Sequence, residues 1–402
     1  MTVTQPDVSV IIGAYEAMPY LVECLASLEA QTLDPARIEV IAVDDGSTDG
    51  TGDCLEEFAA RVPMPVTVIR QENSGGPSGP RNVGLGKATG RYVFFLDADD
   101  RLGAEALERM VAMADRNGTD VVLGRIEGVN RGAPKSMWHR TLERTDVFSS
   151  NIKFTLSAQK LFRRELLTRH GMRFDESLFT GEDALFTMEA YLRADGVSVL
   201  ADYTCYYLVG REDGKQVTKS GGYTLRFDSA RSLMNLITEM VPAGPRRDTL
   251  MVRPFAVTLL PQFGPKFLKD SDQVRRHKME LAAPLLAAHW HEGVARQLKV
   301  EERLRVHLVA TRQTERLVEV LKFTKAKKQP AALLEKKGRR LYLAYPYFRD
   351  SAAGIPDSVY LASPREARGV PGYREDDKDS VLRRAARRLG RATRPERTRV
   401  RV

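Results

Sequence analysis

Apolar runs recur along the first third of the chain at a spacing that leaves few folds open. Residues 8–12, 39–43, 66–70, 92–96 and 120–123 are short and rich in β-branched, aliphatic and aromatic side chains, as buried strands are. Between them lie segments of helical periodicity: 20–30, where Leu21, Leu25 and Leu28 recur at i, i+4 and i+7, then 51–61, 80–88 and 104–117. About 25–30 residues separate one strand from the next, the length of a strand–helix–strand unit. Continuous apolar strands alternating with amphipathic helices predict an α/β fold, a mostly parallel sheet with helices on both faces. Such sheets bind ligands beyond the carboxyl ends of their strands.

Acidic groups fall at those ends. Asp97-Ala98-Asp99-Asp100 follows the fourth run, and Asp44-Asp45-Gly46-Ser47-Thr48-Asp49 follows the second. Three carboxylates together repel one another unless a cation or solvent offsets the charge. Hard oxygen ligands of this kind suit Mg²⁺ or Mn²⁺ bound together with a phosphate. At Asp45 a carboxylate can accept hydrogen bonds from a base N–H or a ribose hydroxyl, and Ser47 or Thr48 can cap the next helix. Either acidic group can also be only a capped turn. After the third run comes Asn73-Ser74-Gly75-Gly76-Pro77-Ser78-Gly79-Pro80-Arg81-Asn82. Its glycines allow close backbone approach, Pro80 suits a first helical turn, and Arg81 is placed for an anion. It has neither the lysine and spacing of a P-loop nor a dinucleotide fingerprint, and a plain surface loop is the competing reading.

The pattern changes after Arg125. Residues 125–150 read as loop and short strand, 155–170 and 183–193 as helix, and 197–208 as strand. Gly181-Glu182-Asp183 opens the second of those helices. Adjacent acids there favour the macrodipole, or hold a general base at a helix N-terminus. Arg211-Glu212-Asp213-Gly214 follows the strand; it is a charged turn, or its arginine meets an anion. From 223 to about 328 the signal is almost wholly helical, with breaks at Pro242, Pro254, Pro261, Pro265 and Pro284. Residues 341–347 and 358–361 read as short strands or extended arms.

Charge and cysteine content narrow the function classes. The net charge is +9, but residues 381–402 hold nine arginines and one glutamate, 9 − 1 = +8, so the rest is nearly neutral. That removes the main support for a nucleic-acid-binding body. The three cysteines, Cys24, Cys54 and Cys205, form no C-x-x-C pair, which argues against a disulfide framework or zinc site and fits a reducing compartment. No N-terminal signal is expected ahead of the strand at Val8, and no apolar run approaches the roughly 20 residues of a spanning helix.

Taken together, these segments resemble an inverting family 2 glycosyltransferase of the GT-A fold. The match is specific over residues 7–215 and weaker to about 360. Within the family it points to the wall teichoic acid β-N-acetylglucosaminyltransferases that decorate poly(ribitol phosphate). It is carried by Val8-Ser9-Val10-Ile11-Ile12, Val43-Asp44-Asp45-Gly46-Ser47-Thr48-Asp49, Asn73-Ser74-Gly75-Gly76-Pro77 and Pro80-Arg81-Asn82-Val83. Gly128-Val129-Asn130-Arg131, Ser136-Met137, Thr155-Leu156-Ser157 and, most specific, Glu182-Asp183-Ala184-Leu185-Phe186-Thr187-Met188-Glu189-Ala190-Tyr191-Leu192 extend it.

The resemblance implies a GT-A, Rossmann-like sheet flanked by helices, followed by a mainly helical C-terminal region. It implies a catalytic domain over 1–220, with a nucleotide-sugar half to about 125 and an acceptor half over 126–220. A helical linker region over 221–363 and a polar, basic tail over 364–402 would follow. Gly13, Ala14 and Tyr15 would line the nucleotide pocket. Where the family often has Pro-Thr-Tyr-Asn, this chain has Gly13-Ala14-Tyr15-Glu16. Asp45 would hold uracil, and Asn73 and Arg81 would contact uridine or the sugar side of the donor. Asp97, with Ala98, would meet the ribose or sugar, and Asp99 would hold Mn²⁺ or Mg²⁺. Asp183 matches the catalytic base, with Glu182 beside it, and Arg131 and Arg211 match basic positions near the diphosphate and acceptor.

The implied activity is transfer of a sugar, GlcNAc first, from a UDP-sugar to a hydroxyl of a polyol-phosphate polymer, forming a β-linkage. A hexosyltransferase for a capsule or lipid-linked glycan and a non-catalytic nucleotide-sugar module are the alternatives. A nucleotidyltransferase is disfavoured, since no glycine-rich loop follows the first strand. The implied location is cytoplasmic, with a peripheral position at the inner face of the plasma membrane as one option. In 381–392, Leu382, Ala385, Ala386 and Leu389 share one helical face among arginines. Such a segment can lie on an anionic membrane, hold an anionic acceptor, or simply be a solvated tail. The family's trimerising β-rich region is not expected within these residues, which leaves the oligomeric state open.

Overall fold

A computed structural model describes residues 5–212, 222–326, 332–338, 340–368, 370 and 373. The arginine-rich segment 381–402, and Asp213 and Gly214 of the charged turn, lie outside them. The chain divides into two compact units, Met1–Leu259 and Leu260–Val402.

The first unit is built on one sheet. Its strands are β1 (Val8–Ala14), β2 (Ile38–Asp44), β3 (Val66–Arg70), β4 (Tyr92–Asp97), β5 (Arg101–Leu102), β6 (Val121–Val129), β7 (Leu142–Thr145), β8 (Leu161–Arg163) and β9 (Val197–Val209). The spatial order is β3-β2-β1-β4-β8-β6-β9-β5, with β7 also paired to β9. β3, β2, β1 and β4 are parallel neighbours, and so are β6 and β9. The helices α1 (Tyr20–Glu29), α2 (Thr51–Arg61), α3 (Ser78–Lys87) and α4 (Ala106–Asn117) alternate with the strands as their spacing predicts. Val10, Ile11 and Ile12 of β1 and Val93, Phe94, Phe95 and Leu96 of β4 are almost fully buried on both faces. Such continuous burial explains why these strands read as apolar runs rather than as alternating ones.

Residues 155–170 correct the sequence reading. They are not one helix: 155–160 run without regular structure, β8 follows, and only α5 (Arg164–Arg169) is helical. β8 pairs antiparallel with both β4 and β6. Buried Phe162 then packs edge-on against Phe95 and Phe186, at 6.0 and 5.5 Å between ring centroids. Pairing on both sides and an aromatic cluster outweigh a helical periodicity worth a few tenths of a kcal/mol per residue. Helix α6 (Glu182–Arg193) sits on this cluster through Phe186, which stacks on Phe174 at 4.1 Å. α7 (Tyr223–Met240) packs on α6, and α8 (Pro245–Arg253) leads into a π-helical turn, Pro254–Leu259.

The second unit is mostly helical, with α9 (Asp272–His289), α10 (Glu292–Ala295), α11 (Val300–Ala310) and α12 (Thr314–Ala326), then an antiparallel pair β10 (Leu333–Lys337) and β11 (Arg340–Ala344). Pro284 does not break the chain there; it lies inside α9. Residues 358–361 are not a strand: Asp357–Tyr360 is a 3₁₀ turn, and Leu361 makes a single bridge to Tyr342. Among the described residues no helix is long and apolar enough to cross a membrane.

Candidate functional site

The parallel register gathers the candidate residues along one edge of the sheet. Gly13 of β1 lies level with Asp97 of β4, and Ala14 level with Asp44 of β2. All stand at carboxyl ends of their strands. α3 closes over this edge: a Cβ on Gly13 would lie 3.2 Å from Pro80, and one on Gly84 would lie 2.4 Å from Ile11. Tyr15 is half exposed at the mouth, while Ala14 and Ala98 are buried.

Glu16, the departure from the family pattern, clasps two loops. Its backbone has φ 46°, and its carboxylate accepts hydrogen bonds from Thr48 N (2.8 Å) and Oγ1 (2.9 Å). Asp45 is almost fully buried and accepts from Gln71 Nε2 (2.6 Å), Ser74 N and Ser74 Oγ (2.9 Å). It therefore anchors the glycine-rich loop, while Asn73 stands exposed and caps Gly75 N. Ser74, Gly76, Ser78, Glu176 and Phe179 line a cavity of about 200 Å³ beside that loop. A larger cavity, about 390 Å³ between Glu23, Ser27, Arg101 and Tyr207, contains none of the candidate residues.

Arg81 is the hinge of the site. From α3 it donates to Asp97 Oδ1 at 2.8 Å and to Glu182 Oε1 at 3.0 Å, and it lies over the Phe174 ring at 5.2 Å. Burial would lower its pKa, but Asp97 and Glu182 together hold it above the ordinary value. One buried cation thus spans the end of β4 and the start of α6.

The three acids at the carboxyl end of β4 have different environments. Asp97 is bonded by Arg81 and by Gln159 Nε2 (2.5 Å). Asp100 accepts from Tyr206 OH (2.8 Å) and Val209 N (2.7 Å), and burial followed by Asp97 and Asp99 pushes it up to about 8. Asp99 takes no hydrogen bond or ion pair from another side chain among the described residues. Burial, then Asp97, pushes it up to about 6, opposed by Arg211 and Arg131. Those arginines arrive together because β6 and β9 are parallel with Val129 level with Val209. Arg211 also donates to Glu16 O at 3.0 Å and lies over Tyr20. A carboxylate with spare oxygens, facing two arginines without being bonded to a side chain, fits a divalent ion that completes its shell with phosphate oxygens. No cluster of three or more metal-ligating side chains occurs among the described residues, so Asp99 would hold the ion with few protein ligands.

Asp183 lies at the N-terminus of α6, after Gly181, whose φ of 90° suits glycine. Burial raises its pKa, opposed by Arg81, Lys160 and Arg253. Burial and Asp183 push Glu182 up to about 7, against Arg81. A half-buried carboxyl with a raised pKa, held among cations, is suited to taking a proton. The sequence reading missed Gln159, Lys160 and Arg253. Lys160 is buried, bonded to Ser157 O, and lowered to about 7 by burial. Gln159 and Lys160 lie in a stretch misread as helix, and no motif marks Arg253.

Residues 9–171 match the model of glycosyl transferase family 2, and residues 225–321 that of the glycosyl transferase TarS linker domain. The chain carries a family 2 glycosyltransferase domain. A poly(ribitol-phosphate) beta-glucosyltransferase of Bacillus spizizenii is 42% identical over 212 residues, 52% of this chain and 33% of that protein. The poly(ribitol-phosphate) beta-N-acetylglucosaminyltransferase TarS of Staphylococcus aureus is 41% identical over 205 residues, 51% of this chain and 36% of its own. The matched stretch thus spans about a third of the length of these relatives. The crystal structure of S. aureus TarS 1-349 in complex with UDP-GlcNAc matches with TM-score 0.73 and 28% identity, over 89% of this chain and 99% of that one. The first unit has the GT-A fold.

Proposed function

We propose that this chain transfers a sugar from a UDP-sugar to a hydroxyl of a polyol-phosphate polymer, with inversion, giving a β-linkage. The observation that carries this reading is the Asp97–Arg81–Glu182 bridge. It ties the donor end of the sheet to the helix that presents Asp183, so donor and base are held in one geometry. The similar proteins that act on poly(ribitol phosphate), and the TarS structure with UDP-GlcNAc, support this donor and acceptor class.

In this reading Gly13, Ala14, Tyr15 and Asn73 frame the nucleotide, Asp45 shapes its loop, and Asp97 with Ala98 borders the ribose and sugar. Asp99 would hold Mn²⁺ or Mg²⁺; when bound, the ion offsets the charge that grows on the departing diphosphate. Arg131 and Arg211 add fixed positive charge beside the same phosphates and the acceptor. Asp183 takes the proton of the acceptor hydroxyl as its oxygen attacks the anomeric carbon opposite the leaving UDP. A single carboxylate suffices, because UDP leaves as a stabilised anion and needs no general acid, unlike the leaving groups of two-carboxylate hydrolases. Glu182 holds Arg81 rather than carrying a proton. The proposed location is cytoplasmic, where a peripheral contact with the membrane would bring the enzyme to its acceptor.

GlcNAc is the first choice of sugar, and glucose the second, favoured by the similarity to a glucosyltransferase. The test is release of UDP from each UDP-sugar with Mn²⁺ and poly(ribitol phosphate), product mass being read by spectrometry. Asp183→Asn is expected to lower kcat by about 10²–10⁴-fold while donor binding persists. An unchanged rate removes Asp183 as the base.

A further inference from the structure

Residues 155–160 sit between the two carboxylates that matter. α6 pins the segment from one side: Thr187 Oγ1 donates to Ser157 O at 3.2 Å, and Tyr191 OH donates to Thr155 O at 2.9 Å. The segment delivers two adjacent side chains. Lys160 lies in the field of Asp183, and Gln159 donates from Nε2 to Asp97 Oδ2 at 2.5 Å.

That hydrogen bond fixes which way the Gln159 amide faces. An ionised carboxylate is acceptor-only, so the nitrogen must face Asp97 and the oxygen must turn away from it. Gln159 is 6% exposed, and its Oε1 is buried with no hydrogen-bond partner among the described residues. Arg81 holds the other oxygen of Asp97, so the carboxylate, and the amide it orients, cannot swing away to relieve that lack. A buried acceptor held in place without a donor is a position prepared for one.

We infer that Gln159 reads the transferred sugar: its Oε1 accepts a hydrogen bond from a hydroxyl or amide N–H of the donor's pyranose where that ring borders Asp97. This rests on the proposed reading of Asp97 as part of the donor site. A neutral acceptor placed there rewards a sugar with a donor at that position and penalises one without it. Uridine and the diphosphate gain nothing from it. Gln159 is therefore a determinant of sugar recognition, distinct from the groups that bind UDP.

The measurement is calorimetric affinity of the full chain with Mn²⁺ for UDP, UDP-GlcNAc and UDP-glucose. Gln159→Met keeps the length and loses the hydrogen bonds. It is expected to leave the Kd for UDP within about twofold and to weaken the preferred UDP-sugar about tenfold, so that the ratio of the two constants rises. Gln159→Asn, which keeps the amide but withdraws it by one methylene, should raise the ratio in the same direction, and it serves if the methionine variant does not fold. Equal weakening of UDP and UDP-sugar would mean that Gln159 only supports Asp97, and overturns the inference. Unchanged affinity for both ligands means that Oε1 meets an internal water instead of the sugar, and overturns it too. Wild-type protein that binds no UDP-sugar at all would overturn the functional reading itself, and that result is read without any variant.

Discussion

At Asp183 and Glu182 two adjacent carboxyls share one helix start, and their titration is linked. Burial raises both, and like-charge repulsion adds to it at Glu182, which is pushed up to about 7. In its proposed role as base Asp183 works only when ionised, so turnover should fall as pH drops through the apparent pKa of the pair. Glu182→Gln removes one negative charge and leaves Arg81 with one fewer carboxylate. Both changes favour ionised Asp183, so the acid limb of kcat/KM should move to lower pH, by about one unit. A limb that stays in place, or moves upward, contradicts the linkage. The motif Gly181-Glu182-Asp183 was readable as a helix start with two acids. Which acid is tied down was not, because Arg81 lies about a hundred residues away and only the packed structure brings its guanidinium to Glu182.

Helix α3 is seated against β1 by the absence of side chains. A Cβ at Gly84 would lie 2.4 Å from Ile11 Cγ2, and Ile11 is fully buried in the sheet. Gly84→Ala therefore sets two effects against each other. Helix propensity gains about 1 kcal/mol from the change, while overpacking a well-filled contact costs about 1–3 kcal/mol. The clash should win, lowering Tm and loosening the placement of Arg81 on the same helix. Gly76→Ala, with no heavy atom within 4 Å of the new methyl, is the control and should leave Tm nearly unchanged. A stabilised Gly84→Ala would show that α3 is not pressed on β1 as described. The strands and helices around this contact were legible in the sequence because local periodicity and burial agree there. β8 was not: its three residues, Leu161–Arg163, are strand only because β4 and β6 flank them. Misreading it hid the segment that carries Gln159 and Lys160.

Across the whole molecule, charge is the property most unevenly shared. The chain carries +9, of which residues 381–402 hold +8, so every candidate catalytic and binding residue belongs to a nearly neutral body. A polybasic segment is drawn to an anionic membrane by about 1 kcal/mol per arginine near the surface. Its two leucines, Leu382 and Leu389, add about 1.5–3 kcal/mol each only if fully buried in the bilayer boundary. With nine arginines, the electrostatic part dominates, and salt should govern it, since screening sets in beyond about 10 Å at 0.1 M. Deleting 381–402 is expected to abolish flotation with vesicles rich in anionic lipid while leaving turnover on a soluble acceptor unchanged. Wild-type flotation should fall steeply as salt rises from about 0.05 to about 0.5 M, because the Debye length contracts over that range. Flotation that survives the deletion would put membrane contact on another surface. Turnover that collapses on soluble polymer would instead assign the arginines to the acceptor's phosphates, because a polyanionic chain and an anionic bilayer present the same chemistry to this segment and only the soluble assay separates them.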